Sequence, residues 1–298
     1  MSDFRLKVFQ SVAKNLSFTK ASQELFVSQP AITKHIQELE AAYQTRLFDR
    51  QGSRISLTES GNLLLEHCER ILEDYKRLEY EMHLLHNEYT GGLKLGASTT
   101  IAQYVLPPLL ASFIGKFPQV SLSLLNGNSR EIEAALQEHR IDLGFVEGVF
   151  RLPNIRYTTF LEDELVAVVR TGSKLAVGEE ITPDELFHLP LVLRERGSGT
   201  LDVFERALQQ HNIKLSSLQV LMYLGSTESI KLFLEHTDCL GIVSVRSITR
   251  ELYSGQLRVV EIKGMPMLRD FSFAQPQGQE SGLAQVFMQF AMHNNHKL

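Results

Sequence analysis

Gln29, Thr33, Lys34 and Gln37 are spaced to share one exposed helix face, and their amide, hydroxyl and ammonium groups suit base edges and phosphates in a major groove. The opposite face carries Ala31, Ile32, Ile36 and Leu39, an apolar stripe that supports a packed helix over 29–40. Ser28 stands where its hydroxyl can accept a free backbone N–H of the first turn. Pro30 fits that turn because its missing N–H costs nothing there. Upstream, Phe18, Ala21 and Leu25 repeat at helical spacing, and Phe26-Val27-Ser28 breaks the repeat. Residues 17–40 therefore read as two short amphipathic helices joined by a tight turn, the second being the reading helix. The alternative is a helical hairpin with no role at DNA.

Three other polar clusters follow expected strands and open expected helices: Ser98-Thr99-Thr100, Arg194 to Thr200 with Ser198 and Gly199, and Gly225-Ser226-Thr227-Glu228-Ser229. A helix start offers free N–H groups and the positive end of a dipole, which suit carboxylate, phosphate or sulfate. Each cluster alone is also a simple helix cap. Their recurrence off the carboxyl ends of strands points to one shared cleft for a small anionic ligand. Glu147, closing a further strand, could join its rim, where its charge would oppose a purely anionic occupant. Catalysis lacks support. Ser198 lies in Gly-Ser-Gly, but Arg196 stands where a nucleophile elbow needs glycine. There is no phosphate-binding Gly-Lys-Ser/Thr loop and no zinc-ligand set, so no cofactor or metal is expected. His83 and His86 are three apart with no third ligand nearby, and read as surface residues.

The elements that must position these groups follow in order. Asp3 can cap a first helix over 4–14 with Phe4, Val8, Phe9 and Val12 inward. After the reading helix, 47–50 and 54–57 flank Gln51-Gly52-Ser53 as a hairpin wing. Arg54 in that wing suits DNA; Arg50 suits either DNA or an internal salt bridge. Thr58 caps a long helix, 59–89. Along it Leu64, Cys68, Ile71, Tyr75, Leu78, Met82, Leu85 and Tyr89 alternate steps of four and three, a heptad seam that needs a partner helix. The natural partner is the same helix of a second subunit. Thr90-Gly91-Gly92 then reads as a hinge.

From residue 93 strand and helix patterns alternate, as in α/β units on a mostly parallel sheet. Strands are expected at 93–97, 119–125, 142–147, 155–160, 164–170, 190–194, 218–223, 240–245, 257–263 and 270–275. Helices are expected near 101–116, 129–139, 182–188, 200–211, 227–236, 246–252 and 281–294. The 298-residue chain is long enough for two domains. Residues 1–58 carry a net charge of +3 within a chain of net −5, a weakly basic head on an acidic body. Two cysteines, Cys68 and Cys239, are too few for a disulfide framework and suit a reducing compartment. No signal peptide or apolar run of membrane-spanning length is evident, so a soluble cytoplasmic protein is expected.

The first stretch also carries a resemblance. Phe9, Ser17-Phe18-Thr19, Ala21, Leu25, Ser28-Gln29-Pro30-Ala31, Ile36, Leu39-Glu40, Leu47-Phe48, Arg50, Leu57-Thr58 and Gly61 resemble the DNA-binding domain of LysR-type transcriptional regulators. Ser22, Thr33 and Gln44 depart from the family pattern of Ala, Ser and Gly; Gln44 removes a glycine near a helix end. The resemblance implies a winged helix-turn-helix over 1–58, a linker helix over 59–89, a hinge at 90–92 and a two-lobed α/β effector domain over 93–298. That domain is similar to periplasmic solute-binding proteins, with lobe one at 93–162 and 265–298 and lobe two at 163–264. It implies DNA contacts from Ser17, Thr19, Ser28, Gln29, Pro30, Thr33, Lys34, Arg50 and Arg54. It implies effector contacts from Ser98, Thr99, Thr100, Glu147, Arg194, Ser198, Gly199, Thr200, Ser226, Thr227 and Glu228. Antiparallel pairing of the linker helix through Leu64, Ile71, Tyr75, Leu78, Met82 and Leu85 would give a homodimer, and further a tetramer, on a promoter with dyad symmetry. The resemblance admits RNA polymerase as a further partner.

Overall fold

The computed structural model describes residues 4–51, 54–86, 89–149, 151–175, 178–277 and 282–294. The chain forms two compact units, 1–88 and 89–298.

In the first unit, α1 (Phe4–Asn15), α2 (Phe18–Glu24) and α3 (Gln29–Tyr43) close around Val8, Phe9, Val12, Ala21, Ile32, Ile36 and Leu39. Phe48 anchors the core, its ring 5.5 Å from Phe9 and 5.9 Å from Phe18. Phe4, expected inward, is exposed and lies edge-on to His35 at 5.4 Å. Asp3 lies outside the described residues. Strands β1 (Phe48–Gln51) and β2 (Arg54–Leu57) pair antiparallel, Arg50 opposite Ile55 and Gln51 opposite Arg54. The turn at 52–53 and the side chains of Arg50 and Arg54 lie outside the described residues.

Helix α3 ends on Gln44, which adopts the left-handed conformation at φ 53° and donates its N–H to Ala41 O. The turn is thus the one glycine favours, held by a residue that adopts it at a cost. Gln44→Gly is expected to raise the unfolding free energy of this unit by about 0.5–1 kcal/mol, after the extra freedom of glycine in the unfolded chain is deducted. Urea denaturation followed by helical circular dichroism measures it; an unchanged or lower midpoint would contradict the strain argument.

Helix α4 (Glu59–His86) starts on Thr58, whose hydroxyl accepts Gly61 N at 3.0 Å. Its heptad stripe divides. Leu64, Leu65, Cys68 and Leu72 join the core of the first unit, and the Cys68 thiol donates to Leu6 O at 3.3 Å. Cys68 therefore does not belong to an open seam; burial pushes its thiol up to about 11. Ile71, Leu78 and Met82 stay exposed and Tyr75 is half-buried. The side chains of His83, Leu85 and His86 lie outside the described residues.

In the second unit one mixed sheet runs through both lobes. Lobe one is built on β3 (Gly91–Ser98), β4 (Val120–Gly127) and β5 (Leu143–Glu147), with β3 parallel to both neighbours. Gly91 and Gly92 are not a free hinge: they open β3, paired with Val120 and Ser121, and Gly91 supplies a φ of 119° that other residues avoid. The expected helix over 101–116 is two, α5 (Thr99–Tyr104) and α6 (Leu106–Lys116), because Pro107 and Pro108 remove the N–H groups that a continuous helix needs. Helix α7 (Ser129–Gln137) follows, capped reciprocally by Asn128 and Glu131. Phe113 of α6 packs 4.8 Å from Phe287 on the C-terminal helix, which spans Gly282–Asn294.

The strands expected at 155–160 and 164–170 are one strand, β6 (Ile155–Arg170). The expected gap at 161–163 is strand: Asp163 is buried and lies opposite Arg269 of a long neighbouring strand. In lobe two come β7 (Glu180–Ile181), a 3-10 turn at Pro183–His188 in place of the expected helix, β8 (Pro190–Arg194), α8 (Gly199–Gln210), β9 (Gln219–Leu224), α9 (Thr227–His236) and β10 (Leu240–Ser244). The stretch 246–252 divides into a 3-10 turn and α10 (Thr249–Tyr253), and β11 (Leu257–Ile262) returns to β6. Strand β12 (Met267–Pro276) then runs antiparallel along β6 from Leu165 back to Ile155. The sheet order is β4-β3-β5-β12-β6-β10-β8-β9, so β6 and β12 join the lobes.

Candidate DNA-binding and effector sites

On the reading helix, Ser28 caps α3 by accepting Ala31 N at 3.4 Å, and Ser17 caps α2 by accepting Lys20 N at 3.2 Å. Thr19 donates to the Gln29 side chain at 3.5 Å, so the two helices share a polar contact at the turn. Gln29, Pro30, Lys34 and Gln37 are exposed, as the face requires. Thr33 is half-buried and its hydroxyl donates back to Gln29 O at 3.1 Å. The sequence reading missed Phe26. It sits in the turn at φ 54° and is 94% exposed, an aromatic side chain facing water in the first unit.

In the second unit the three helix starts meet. Strand β3 delivers Ser98, Thr99 and Thr100 into α5; β8 delivers Arg194 and then Ser198 into α8; β9 delivers Gly225 and Ser226 into α9. Ser198 caps α8 by accepting Leu201 N at 3.2 Å, and Ser226 caps α9 by accepting Ser229 N at 3.1 Å. Ser198 is therefore occupied as a cap. Gly199 is required by contact: a Cβ there would stand 2.2 Å from Glu147 O across the lobes.

Arg194 joins all three clusters. Its Nη2 donates to Thr99 Oγ1 and to Gly225 O, each at 3.3 Å, while Nε and Nη2 hold Glu195 at 2.8 and 3.0 Å. Its side chain is 1% exposed, and Nη1 has no hydrogen-bond partner among the described residues. A buried N–H without an acceptor is costly, and a bound anion would satisfy it.

Glu147 is not a free charge on the rim. It is buried, accepts from Ser98 and from Thr100 (3.5 Å), and pairs with Arg269 Nη1 at 3.5 Å. Its charge is matched within the fold and does not oppose an anionic occupant. Arg269, missed in the sequence, also donates to Thr200 at 3.0 Å and to Asp163 at 2.7 Å. Asp163 in turn accepts from Ser244 at 2.7 Å. Tyr104, also missed, lies one turn after Thr100 and donates across the lobes to Glu228. Glu228 pairs with the buried Lys231 at 2.7 Å. Burial, and then the bond to Glu228, raise the Tyr104 phenol far above its usual range, so it stays a donor. Thr227 is buried beside them. Among the described residues no cluster of three or more His, Cys, Asp or Glu could hold a metal ion, and no helix is long and apolar enough to cross a membrane.

Comparison with known proteins agrees with both units. Residues 4–62 match the bacterial regulatory helix-turn-helix protein, lysR family, and residues 86–295 match the LysR substrate binding domain. The chain is 35% identical over 258 residues to the HTH-type transcriptional regulator YeiE of Escherichia coli (strain K12), covering 87% of this chain and 85% of that one. It is 28% identical over 268 residues to the HTH-type transcriptional regulator CysL of Bacillus subtilis (strain 168), covering 90% and 89%. Among solved structures it is similar to the Synechocystis PCC6803 CcmR regulatory domain in complex with 2-PG, with TM-score 0.62, 28% identity, 68% of this chain and 97% of that one. CrgA of Neisseria meningitidis shares the fold over 99% of this chain and 97% of its own, with TM-score 0.70 at 18% identity. The family is one of regulators rather than enzymes. The chain belongs to the LysR family: it is a DNA-binding transcriptional regulator with an effector-binding domain.

Proposed function

We propose that the effector domain senses a small anionic metabolite held by Arg194 at the meeting of the three helix starts. The observation that carries this reading is the buried guanidinium with one nitrogen lacking an acceptor. Exposed α4 residues Ile71, Leu78 and Met82 support pairing with a second copy, which would place two α3 helices on a promoter with dyad symmetry. Binding draws the lobes onto the ligand, the arrangement of subunits shifts, and the spacing or bending of the two DNA contacts shifts with it. CcmR in complex with 2-PG is an instance of a small ligand on this domain type.

Thermal unfolding of the full chain against sulfate, phosphate, carboxylates and sulfur-containing amino acid precursors tests the anion. A saturable upward shift with one of them, lost in Arg194→Gln, is expected. No shift with any anion, or one that survives Arg194→Gln, would overturn the reading. At the DNA end, Gln29→Ala is expected to cost about 1–3 kcal/mol at a specific site by loss of a base contact. Lys34→Ala should lower affinity on all sequences alike and flatten the salt dependence. Fluorescence anisotropy across operator variants and salt concentrations separates the two; an unchanged base preference in Gln29→Ala would remove it as a reader.

A further inference from the structure

Phe26 occupies the turn that leads from α2 into α3, and its neighbours pin it there. Leu25 and Val27, on either side, pack against the core of the first unit. Val27 donates its N–H to Ser22 O at 3.1 Å, which closes the end of α2. Between them Phe26 holds the left-handed conformation, at φ 54°. Helix ends of this kind favour glycine or asparagine at that position, because a Cβ there crowds the following carbonyl. Phenylalanine accepts the strain and gains no burial from its own chain in return, being 94% exposed. A strained residue whose side chain the fold does not use points to a role outside the fold.

What covers the ring follows from its distance to the reading helix. Phe26 precedes the exposed Gln29 by three residues, which span at most about 11 Å when fully extended. The major groove is about 12 Å wide. With Gln29 at a base edge, Phe26 stands at the wall of the groove, where the deoxyribose rings of one strand present carbon and hydrogen. The turn lies outside the helix face that meets the bases, so the ring meets sugar rather than base edges.

We propose that Phe26 is a DNA contact: its ring lies against the deoxyribose rings of the strand flanking α3 and adds affinity without reading sequence. This rests on α3 being the helix that enters the groove.

The chain contains no tryptophan, so Phe26→Trp in the full-length protein places a single fluorescent reporter at the turn. The probe is a duplex that the wild-type protein selects from a random-sequence pool. In the free protein the indole should be open to acrylamide at every protein concentration. On adding the duplex, acrylamide quenching should fall several-fold and saturate with binding. Phe26→Asn suits the turn and removes the ring. It should keep the unfolding midpoint equal or raise it, yet weaken binding about 10–100-fold, the worth of burying one phenyl group. The loss should be the same on every base-substituted duplex, and the slope of affinity against salt should not change, because no charge is lost. Phe26→Tyr, which keeps the ring, should bind within about threefold of the wild type. A residue needed only for folding would lower the midpoint instead. An indole that stays open in the complex, an indole already shielded by self-association without DNA, or equal affinity in Phe26→Asn would overturn the contact. Gln29→Ala and Lys34→Ala on the same duplexes separate the two failures. An open indole beside a changed base preference in Gln29→Ala sinks the Phe26 contact alone; an open indole with both of those variants unaffected sinks the placement of α3 as well.

Discussion

Arg269→Met is expected to lower the unfolding free energy of the effector domain by about 3–5 kcal/mol. The guanidinium is 1% exposed and touches Asp163 on the paired strand, Glu147 at the end of β5 and Thr200 in the first turn of α8. Removing it leaves the buried Glu147 carboxylate without its cation and Asp163 with Arg246 at 3.6 Å in place of a direct buried pair. Methionine keeps most of the side-chain volume, so the loss reports charge rather than a cavity. Urea unfolding of the full chain, followed through the transition assigned to the effector domain, gives the number. The pair is shielded from solvent, so the loss should persist at high salt, unlike that of an exposed pair. Asp163→Asn combined with Arg269→Met should recover part of it. A loss below about 1 kcal/mol, the range of exposed pairs, would show that Arg269 does not hold the lobes.

Leu78→Asp is expected to convert the protein to a monomer and to weaken operator binding by about 10²–10⁴-fold, the advantage that two linked half-site contacts have over one. Leu78 is 53% exposed on α4, and Ile71 and Met82, seven residues before and four after, share its exposed stripe. The half of α4 that carries Leu64, Cys68 and Leu72 is already covered by its own chain. A carboxylate at Leu78 therefore strikes the exposed part of the stripe and leaves the first unit's core intact. Sedimentation velocity and anisotropy on a full operator and on a half-site read both effects. A variant that remains dimeric would remove Leu78 from the interface.

The helix-turn-helix was legible because local signals agree there. Ser17 and Ser28 are caps, Pro30 sits in a first turn, and the buried positions of α3 follow the helical period. The three helix starts were legible for the same reason. Where the reading failed, the cause was long-range. Arg269 and Asp163 are 106 residues apart in sequence, and only the strand ladder makes them neighbours. Without that pairing, residues 161–163 look like a gap between two strands and Glu147 looks like a free charge. The heptad in α4 is real as a pattern, but periodicity cannot say which partner covers each turn, so Cys68 was read onto a seam it does not join. Tyr104 could have been found, since it follows Thr100 by one turn of the same helix.

Strands β6 and β12 are the remaining feature with mechanical meaning. Ten ladder positions, from Met267 opposite Leu165 to Pro276 opposite Ile155, run through the junction of the lobes. A swinging joint would have to break rungs of that ladder, each worth about 0.5–1.5 kcal/mol, whereas twisting breaks none. A two-stranded ribbon accepts more twist than a wide sheet. The register slips between Phe271 and Ser272, and such irregularities concentrate twist where they occur. Torsion is therefore the deformation this junction resists least. By geometry, a few degrees of twist at Phe271 would displace the far ends of both lobes more than the residues close to the axis.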